Sequence, residues 1–313
     1  MANCKQRRMY ISSMSCRSIF FIFYNFVLMT YQHLWQRLTP LYDINEAQAI
    51  IRMVLEEEFH LSFADILIGK VNELSQDETT KLAEIVCRLA ASEPVQYVLG
   101  RENFAGRTFH VESGVLIPRP ETEMLVQWIE EDYNTPVCGL LPPAPLQILD
   151  IGTGSGCIAI TLALDILNSS VAAWDISGDA LLIARNNALR LGAKVNFQLQ
   201  DALSIEATDR CWDIIVSNPP YICEKECEAM AENVLQHEPH TALFVPNDDP
   251  LRFYTAIAKL GKKTLTKGGT LYFETNPLYI KEVKTMLKDL GYTMIQLRKD
   301  QYDKQRFVKA TLL

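Results

Sequence analysis

Residues 147–160, Gln-Ile-Leu-Asp-Ile-Gly-Thr-Gly-Ser-Gly-Cys-Ile-Ala-Ile, constrain the fold more than any other stretch of the chain. An apolar run bounded by turn residues reads as a short buried strand, and Gly152, Gly154 and Gly156 then release it into the apolar start of a helix. Glycines in alternation allow a tight turn and a close backbone approach to a ligand, with no Cβ in between. Such a unit belongs to an open α/β sheet, where a ligand lies across the carboxyl end of the strand beside the helix N-terminus. The spacing G-x-G-x-G is one residue tighter than the dinucleotide fingerprint. Its weight comes from a second stretch, Ile214-Ile215-Val216-Ser217-Asn218-Pro219-Pro220-Tyr221, which also ends a buried strand.

Around these two stretches the pattern alternates. After the helix from Cys157 to about Leu167 come a strand 171–175, a helix from Ser177 to about Leu191, and a strand 195–199. Beyond Asn218 follow a helix 251–265, Gly268-Gly269 turning into a strand 270–274, a helix 281–290, and strands near 293–298 and 307–312. Strand–helix alternation predicts a mostly parallel sheet covered on both faces, with the adjoining last strands as an antiparallel hairpin.

The preceding residues read differently. Ile44, Ala47, Ile51, Val54, Leu55 and Phe59 recur at helical spacing behind Asp43 as an N-cap. Ser62 opens a second helix in capping-box style, closed by Gly69, and a third runs from Ser75 to about Ala91. A small helical bundle is expected there. Pro94 ends it, and the apolar residues from Val95 to Val115, broken by three glycines, predict a hairpin between two domains. A helix through about Glu131 follows the run 116–123, Leu-Ile-Pro-Arg-Pro-Glu-Thr-Glu, and the prolines of 134–145 mark a loop before the glycine strand. The expected divisions are 1–28, an N-terminal extension; 29–93, helical; 94–115, a hairpin linker; and 116–313, α/β.

Three successive strand ends carrying the glycines, Asp175 and Asp201 describe a nucleoside site, although taken alone Asp201 reads almost equally as a loop carboxylate in water. Asp175, about 20 residues beyond the glycine turn, can accept both hydroxyls of a ribose; the plainer alternative is a helix N-cap. Asn218-Pro219-Pro220-Tyr221 offers a stiff row of carbonyl acceptors, since proline has no N–H, and adds the Asn218 side-chain carbonyl and a flat ring. That set suits a planar –NH2 group whose two N–H bonds go to two carbonyls. His237-Glu238-Pro239-His240 matches no metal spacing and reads as structural or gating; no metal site is expected.

The net charge of the 313 residues is −8, and residues 1–28 hold four cations and no acid, so the rest carries −12. So acidic a body does not hold nucleic acid by phosphate neutralisation alone. The eight cysteines are scattered apart from Cys223 and Cys227, which implies free thiols in a reducing compartment. No run is long enough to span a membrane.

The chain resembles the release-factor glutamine methyltransferases, the protein-(glutamine-N5) methyltransferases of the HemK/PrmC type, from about residue 30 to 313. The resemblance rests on Glu93-Pro94-Val95-Gln96-Tyr97, Leu116-Ile117-Pro118-Arg119-Pro120-Glu121-Thr122-Glu123, Asp150–Gly156, Asn218–Ile222 and Glu238–Leu243. The Pro-Arg-Pro-Glu-Thr-Glu run is its most specific part. It implies a Rossmann-like, seven-stranded class I methyltransferase domain, a helical substrate-docking domain, and S-adenosyl-L-methionine as cofactor. By motif, Gly152, Thr153, Gly154, Ser155 and Gly156 cradle the methionine part of the cofactor, Asp175 holds the ribose, and Asp201 with Ala202 lies by the adenine. Asn218 and the Pro219 carbonyl bind the substrate amide beside Pro220, with Tyr221 packed on it; Asn218 also borders the cofactor. The implied partners are class I peptide chain release factors, with no direct nucleic acid, no membrane and a monomeric enzyme, in the cytoplasm or, as second choice, the mitochondrion. Glu274-Thr275-Asn276 departs from the pattern, which has a glycine soon after the glutamate; the expected effect is on that loop and not on the site. The other readings of the motifs are an amino-methyltransferase of adenine or guanine in DNA or RNA, and a nicotinamide dehydrogenase, which leaves Asn218–Tyr221 unexplained.

Ile19 to Leu28 after a basic start resembles a signal h-region without a cleavage site, or part of a transit peptide. The preferred expectation is that translation begins at Met29. A chain starting there should then be folded and fully active, and lost activity on that truncation overturns the expectation.

Overall fold

Side chains that satisfy free backbone N–H groups set the helix starts of the first part of the chain. Helix α1 is Tyr31–Gln36, α2 Ile44–Phe59, α3 Phe63–Leu67 and α4 Gln76–Ala90. Asp43 Oδ1 accepts from the N–H groups of Asn45 and Glu46, and Ser62 with Asp65 and Ser75 with Glu78 form capping boxes. Ile51, Val54, Leu55, Leu82, Val86 and Leu89 are fully buried at the spacing the sequence shows. The computed structural model describes residues 29–134, 144–204 and 211–313. The apolar segment 19–28 and the loop prolines 136, 142 and 143 lie outside the described residues.

The chain divides into two compact units between Val95 and Gln96. A short helix α5, Val95–Leu99, precedes strands β1, Arg101–Phe104, and β2, Arg107–His110, which pair as an antiparallel hairpin. This hairpin is shorter than the whole 94–115 stretch, and it is packed: Phe104 and Phe109 meet edge to face at 5.9 Å inside the core of the second unit.

Next come α6, Pro120–Tyr133; β3, Leu146–Ile151; α7, Cys157–Asp165; β4, Ser169–Asp175; α8, Gly178–Leu191; β5, Val195–Leu199; and β6, Trp212–Ser217. Two-residue strands β7, Ile222–Cys223, and β8, Phe244–Val245, flank short helices α9, Glu232–His237, and α10, His240–Leu243. Helix α11, Arg252–Thr264, strand β9, Leu265–Glu274, helix α12, Ile280–Asp289, and strands β10, Thr293–Lys299, and β11, Gln305–Thr311, complete the chain.

The seven-stranded sheet has the order β10-β11-β9-β6-β3-β4-β5. Strands β9, β6, β3, β4 and β5 pair in parallel, and β11 runs antiparallel to both its neighbours. Alternate side chains serve opposite faces. Ile148, Ile214 and Val216 join α6 and α7 in one core, and Leu149, Ile151 and Ile215 join α11 and α12 in the other. The chain moves outward from β3 to β5 and then returns to β6 on the far side of β3. The crevice at the carboxyl ends of β3 and β6 is therefore the topological switch point. Gly268 and Gly269 do not precede the last parallel strand as a turn. They lie within β9, where Gly268 has φ +82° and the pairing with β6 shifts register between Trp212 and Ile214.

Truncating Phe109 to alanine should cost about 3–5 kcal/mol of unfolding free energy, as for a buried aromatic. Denaturant titration that finds less than about 1 kcal/mol would make the hairpin a mere connector.

Candidate active site

The glycine turn is held from beneath by its neighbour. Gly152 and Thr153 both donate to the Trp174 carbonyl on β4, at 2.8 and 3.1 Å, and Gly156 donates back to the Thr153 carbonyl at 2.8 Å. At Gly156, with φ +83°, a Cβ would stand 2.8 Å from Ile160 Cδ1 and 3.1 Å from Ala184 Cβ, so this glycine lets α7 and α8 approach. At Gly154, with φ +54°, a Cβ would meet nothing within 4 Å. That glycine serves the turn's shape and leaves open space above it.

Below the turn Asp150 is fully buried. Its Oδ2 accepts from Thr153 Oγ1 at 2.6 Å, and its Oδ1 has no partner among the described residues. Burial pushes this carboxyl up to about 7; the Thr153 hydroxyl and, more weakly, the Ala159 N–H offset part of that rise, and the nearby Asp175 adds to it. A lone acid within a buried apolar run was the available signal for Asp150.

Asp175 Oδ2 accepts from the Gly154 N–H at 2.8 Å, and its Oδ1 from Ser177 N at 2.9 Å. The cap of α8 is Ser177, whose Oγ accepts from Ala180 N at 3.1 Å, which removes the N-cap alternative for Asp175. Burial raises the Asp175 carboxyl while the N–H bonds hold it down. One strand further, Gln200 N donates to the Asp175 carbonyl at 2.8 Å, and Asp201 Oδ1 accepts from Leu203 N at 2.8 Å. Ala202 packs on the edge of the second core. Ile176 is 63% exposed beside Asp175, an apolar platform that periodicity alone does not reveal.

On the other side of β3, Ser217 Oγ donates to the Ile151 carbonyl at 2.6 Å, tying the Asn-Pro-Pro-Tyr turn to the glycine strand. Asn218 Nδ2 donates to Thr122 Oγ1 at 3.2 Å, and Thr122 Oγ1 donates to Glu274 Oε2 at 2.7 Å. The Tyr221 hydroxyl donates to Glu274 Oε1 at 3.3 Å, and burial raises that phenol. No described group donates to Asn218 Oδ1 or to the Pro219 carbonyl; Pro219 is buried and Pro220 half-buried. Arg119 pairs with the buried Glu238 at 2.5 Å, so the Pro-Arg-Pro run and the Glu-Pro-His run meet. The ring of His240 engages the Leu235 carbonyl and Phe244, a structural use. The loop that departs from the family pattern does reach the site: Asn276 Nδ2 donates to the Tyr221 carbonyl at 3.1 Å and to Glu226 at 3.2 Å.

A doubly wound sheet with this glycine turn, an acid ending the next strand and Asn-Pro-Pro-Tyr across the switch crevice defines a methyltransferase. A family described as "Methyltransferase domain" matches residues 144–310, and the "PrmC N-terminal domain" matches residues 31–100. The release factor glutamine methyltransferase of Bacteroides thetaiotaomicron is 43% identical over 276 residues, 88% of this chain and 96% of that one. That of Flavobacterium psychrophilum is 38% identical over 275 residues, 88% of this chain and 95% of its own. A solved protein-(glutamine-N5) methyltransferase (release factor-specific) from Alicyclobacillus acidocaldarius is 27% identical, covers 65% of this chain and 99% of its own, and has a TM-score of 0.39. The chain belongs to the release factor glutamine methyltransferase family.

Asp150 titrates near 3.8 unfolded and about 7 folded, so its contribution to stability is full below 3.8 and is lost as pH rises through 7. The melting temperature of the ligand-free protein should fall over that interval, and Asp150→Asn should flatten the fall. An identical slope in the variant would mean that the carboxyl is charged in the folded state.

Proposed function

We propose that the protein transfers the methyl group of S-adenosylmethionine to the side-chain amide nitrogen of the glutamine in the Gly-Gly-Gln motif of peptide chain release factors. The observation that carries this reading is the pair of acceptors at the switch crevice, Asn218 Oδ1 and the Pro219 carbonyl, to which no described group donates. The chain's residues fit the cofactor on two counts. Open space above Gly154 admits a ligand, and Asp150 Oδ1 below, without a hydrogen-bond partner among the described residues, offers an acceptor for an ammonium group. Gly152 to Gly156, including Thr153 and Ser155, would hold the methionine part, Asp175 the ribose hydroxyls, and Asp201, Ala202 and Ile176 the adenine. We assign residues 29–93 to docking of the release factor.

When bound, the cofactor supplies a sulfonium methyl that needs no further activation. An amide nitrogen is a poor nucleophile because its lone pair is delocalised into the carbonyl. Asn218 Oδ1 and the Pro219 carbonyl accept its two N–H bonds, which turns the lone pair towards the methyl. The same acceptors stabilise the positive charge that builds on nitrogen as its bond to carbon forms. Tyr221 presents its ring, because its hydroxyl is committed to Glu274. Alignment of this kind can supply roughly 7–11 kcal/mol. The proton leaves after transfer, so no strong base is required.

With labelled cofactor and release factor, DNA and RNA offered separately, label should enter only the release factor, and its Gln→Asn variant should stay unlabelled. Asp175→Ala should weaken cofactor binding by roughly 1.5–3 kcal/mol. Asn218→Ala should leave cofactor affinity largely intact in calorimetry and lose roughly 10²–10³-fold in turnover. Label on nucleic-acid adenine or guanine, with the release factor unlabelled, would replace this function with amino-methylation of nucleic acid.

A further inference from the structure

We propose that Glu274, acting through the Thr122 hydroxyl, is the positioning residue that fixes which end of the Asn218 side-chain amide faces the acceptor group. The inference rests on the function proposed above and deepens it.

Glu274 ends β9 and is 1% exposed. Both carboxylate oxygens are used: Oε2 accepts from Thr122 Oγ1 at 2.7 Å, and Oε1 from the Tyr221 hydroxyl at 3.3 Å. A hydroxyl has one proton to donate. Thr122 spends it on Glu274 and can therefore only accept from Asn218. That selects Nδ2, at 3.2 Å, as the end of the amide that turns inward. Oδ1 is then left outward, as the acceptor that an –NH2 group needs.

The direction of the chain reverses with one proton. A neutral Glu274 carries its own O–H at Oε2 and donates it to Thr122. The Thr122 proton is then released from Glu274 and can point at Asn218, where Oδ1 is the end able to receive it. Once Thr122 donates to it the amide turns over, and Nδ2 faces outward. Donor then meets donor, and the glutamine amide of the substrate loses its partner.

Several groups set the charge on Glu274. Burial pushes its carboxyl up to about 6; the Thr122 and Tyr221 hydroxyls and Arg306 from β11 pull it down, and Glu121 from α6 pushes it up. Tyr254 from α11 donates to its backbone carbonyl at 3.4 Å, and Cys157 on α7 lies within electrostatic reach. At neutral pH the carboxylate form prevails and Asn218 is set to accept. Below about pH 6 the reversed chain takes over.

Thr122→Ser, Thr122→Val and Glu274→Gln test this in the full chain. Serine keeps the hydroxyl, so turnover at pH 7.5 should stay within about threefold of the parent. Valine keeps the shape and removes the hydroxyl, and turnover should fall roughly 10- to 100-fold, with cofactor affinity unchanged in calorimetry. The parent's kcat/KM should show an acid limb near pH 6 that Glu274→Gln lacks. A second readout needs no methyl transfer. With ¹⁵N-labelled asparagine, the Asn218 –NH2 protons (assigned from Asn218→Ala) should show contacts to the Thr122 methyl at pH 7.5 and lose them at pH 5. Equal activity in the valine and serine variants, an acid limb that survives in Glu274→Gln, or Asn218 contacts that ignore pH would each overturn the inference. A parent protein that leaves release factors unmethylated while its Asn218 contacts change with pH would sink the proposed function and leave this device standing.

Discussion

Strand β3 is hydrogen-bonded in parallel to β4 on one side and to β6 on the other, and the site depends on those two ladders. Parallel pairing brings all three carboxyl ends to one edge of the sheet. Adjacent strands lie about 4.8 Å apart, so the ends of β4 and β6 are separated by roughly 10 Å. The glycine turn sits between them, with Asp175 on one flank and Asn218 on the other. Ser217 Oγ on the Ile151 carbonyl and Gly154 N on Asp175 stitch the three ends together across the opening. A ligand spanning that edge meets polar groups supplied by three strands, each fixed by its ladder.

Two buried carboxyls flank the crevice, and both are pushed upward by burial. Each accepts from a threonine hydroxyl, Thr153 on Asp150 and Thr122 on Glu274. They differ in what is left over. Among the described residues Asp150 keeps one oxygen without a partner at hydrogen-bond geometry, whereas both oxygens of Glu274 are occupied. A buried acceptor without a donor is costly and suits a group that arrives with a positive charge. A fully used carboxylate orders its donors, and Glu274 orders one from the Pro-Arg-Pro-Glu-Thr-Glu run and one from the Asn-Pro-Pro-Tyr turn.

The glycine turn, Asp175 and the Asn-Pro-Pro-Tyr turn were legible because each follows a run of Ile, Leu and Val whose period and length mark a buried parallel strand. The N-caps Asp43, Ser62 and Ser75 were legible because a cap acts within three residues of itself. In the sequence Glu274 stands out only as the residue before a missing glycine, and Asn276 as a local departure. Their partners, Thr122 and Tyr221, stand 152 and 55 residues away, and no periodicity reports a bond of that span. Gly268 and Gly269 have the composition of a turn, yet β9 runs through them because its register with β6 needs an irregularity there. Helix α1 buries only Leu34, so no apolar stripe marks it in the sequence.

The clamp between Arg119 and Glu238 and the bond between Thr122 and Glu274 join residues 119 and 152 positions apart. During synthesis, the cofactor-side groups on β3, β4 and β5 have all emerged by Asp201. The acceptor side waits for Glu238 and then for the end of β9. A nascent chain thus carries Asn218 for more than fifty residues, on the order of several seconds of elongation, before the carboxylate that orients it exists. The pocket for the substrate is completed late, when most of the sheet is already in place to receive it.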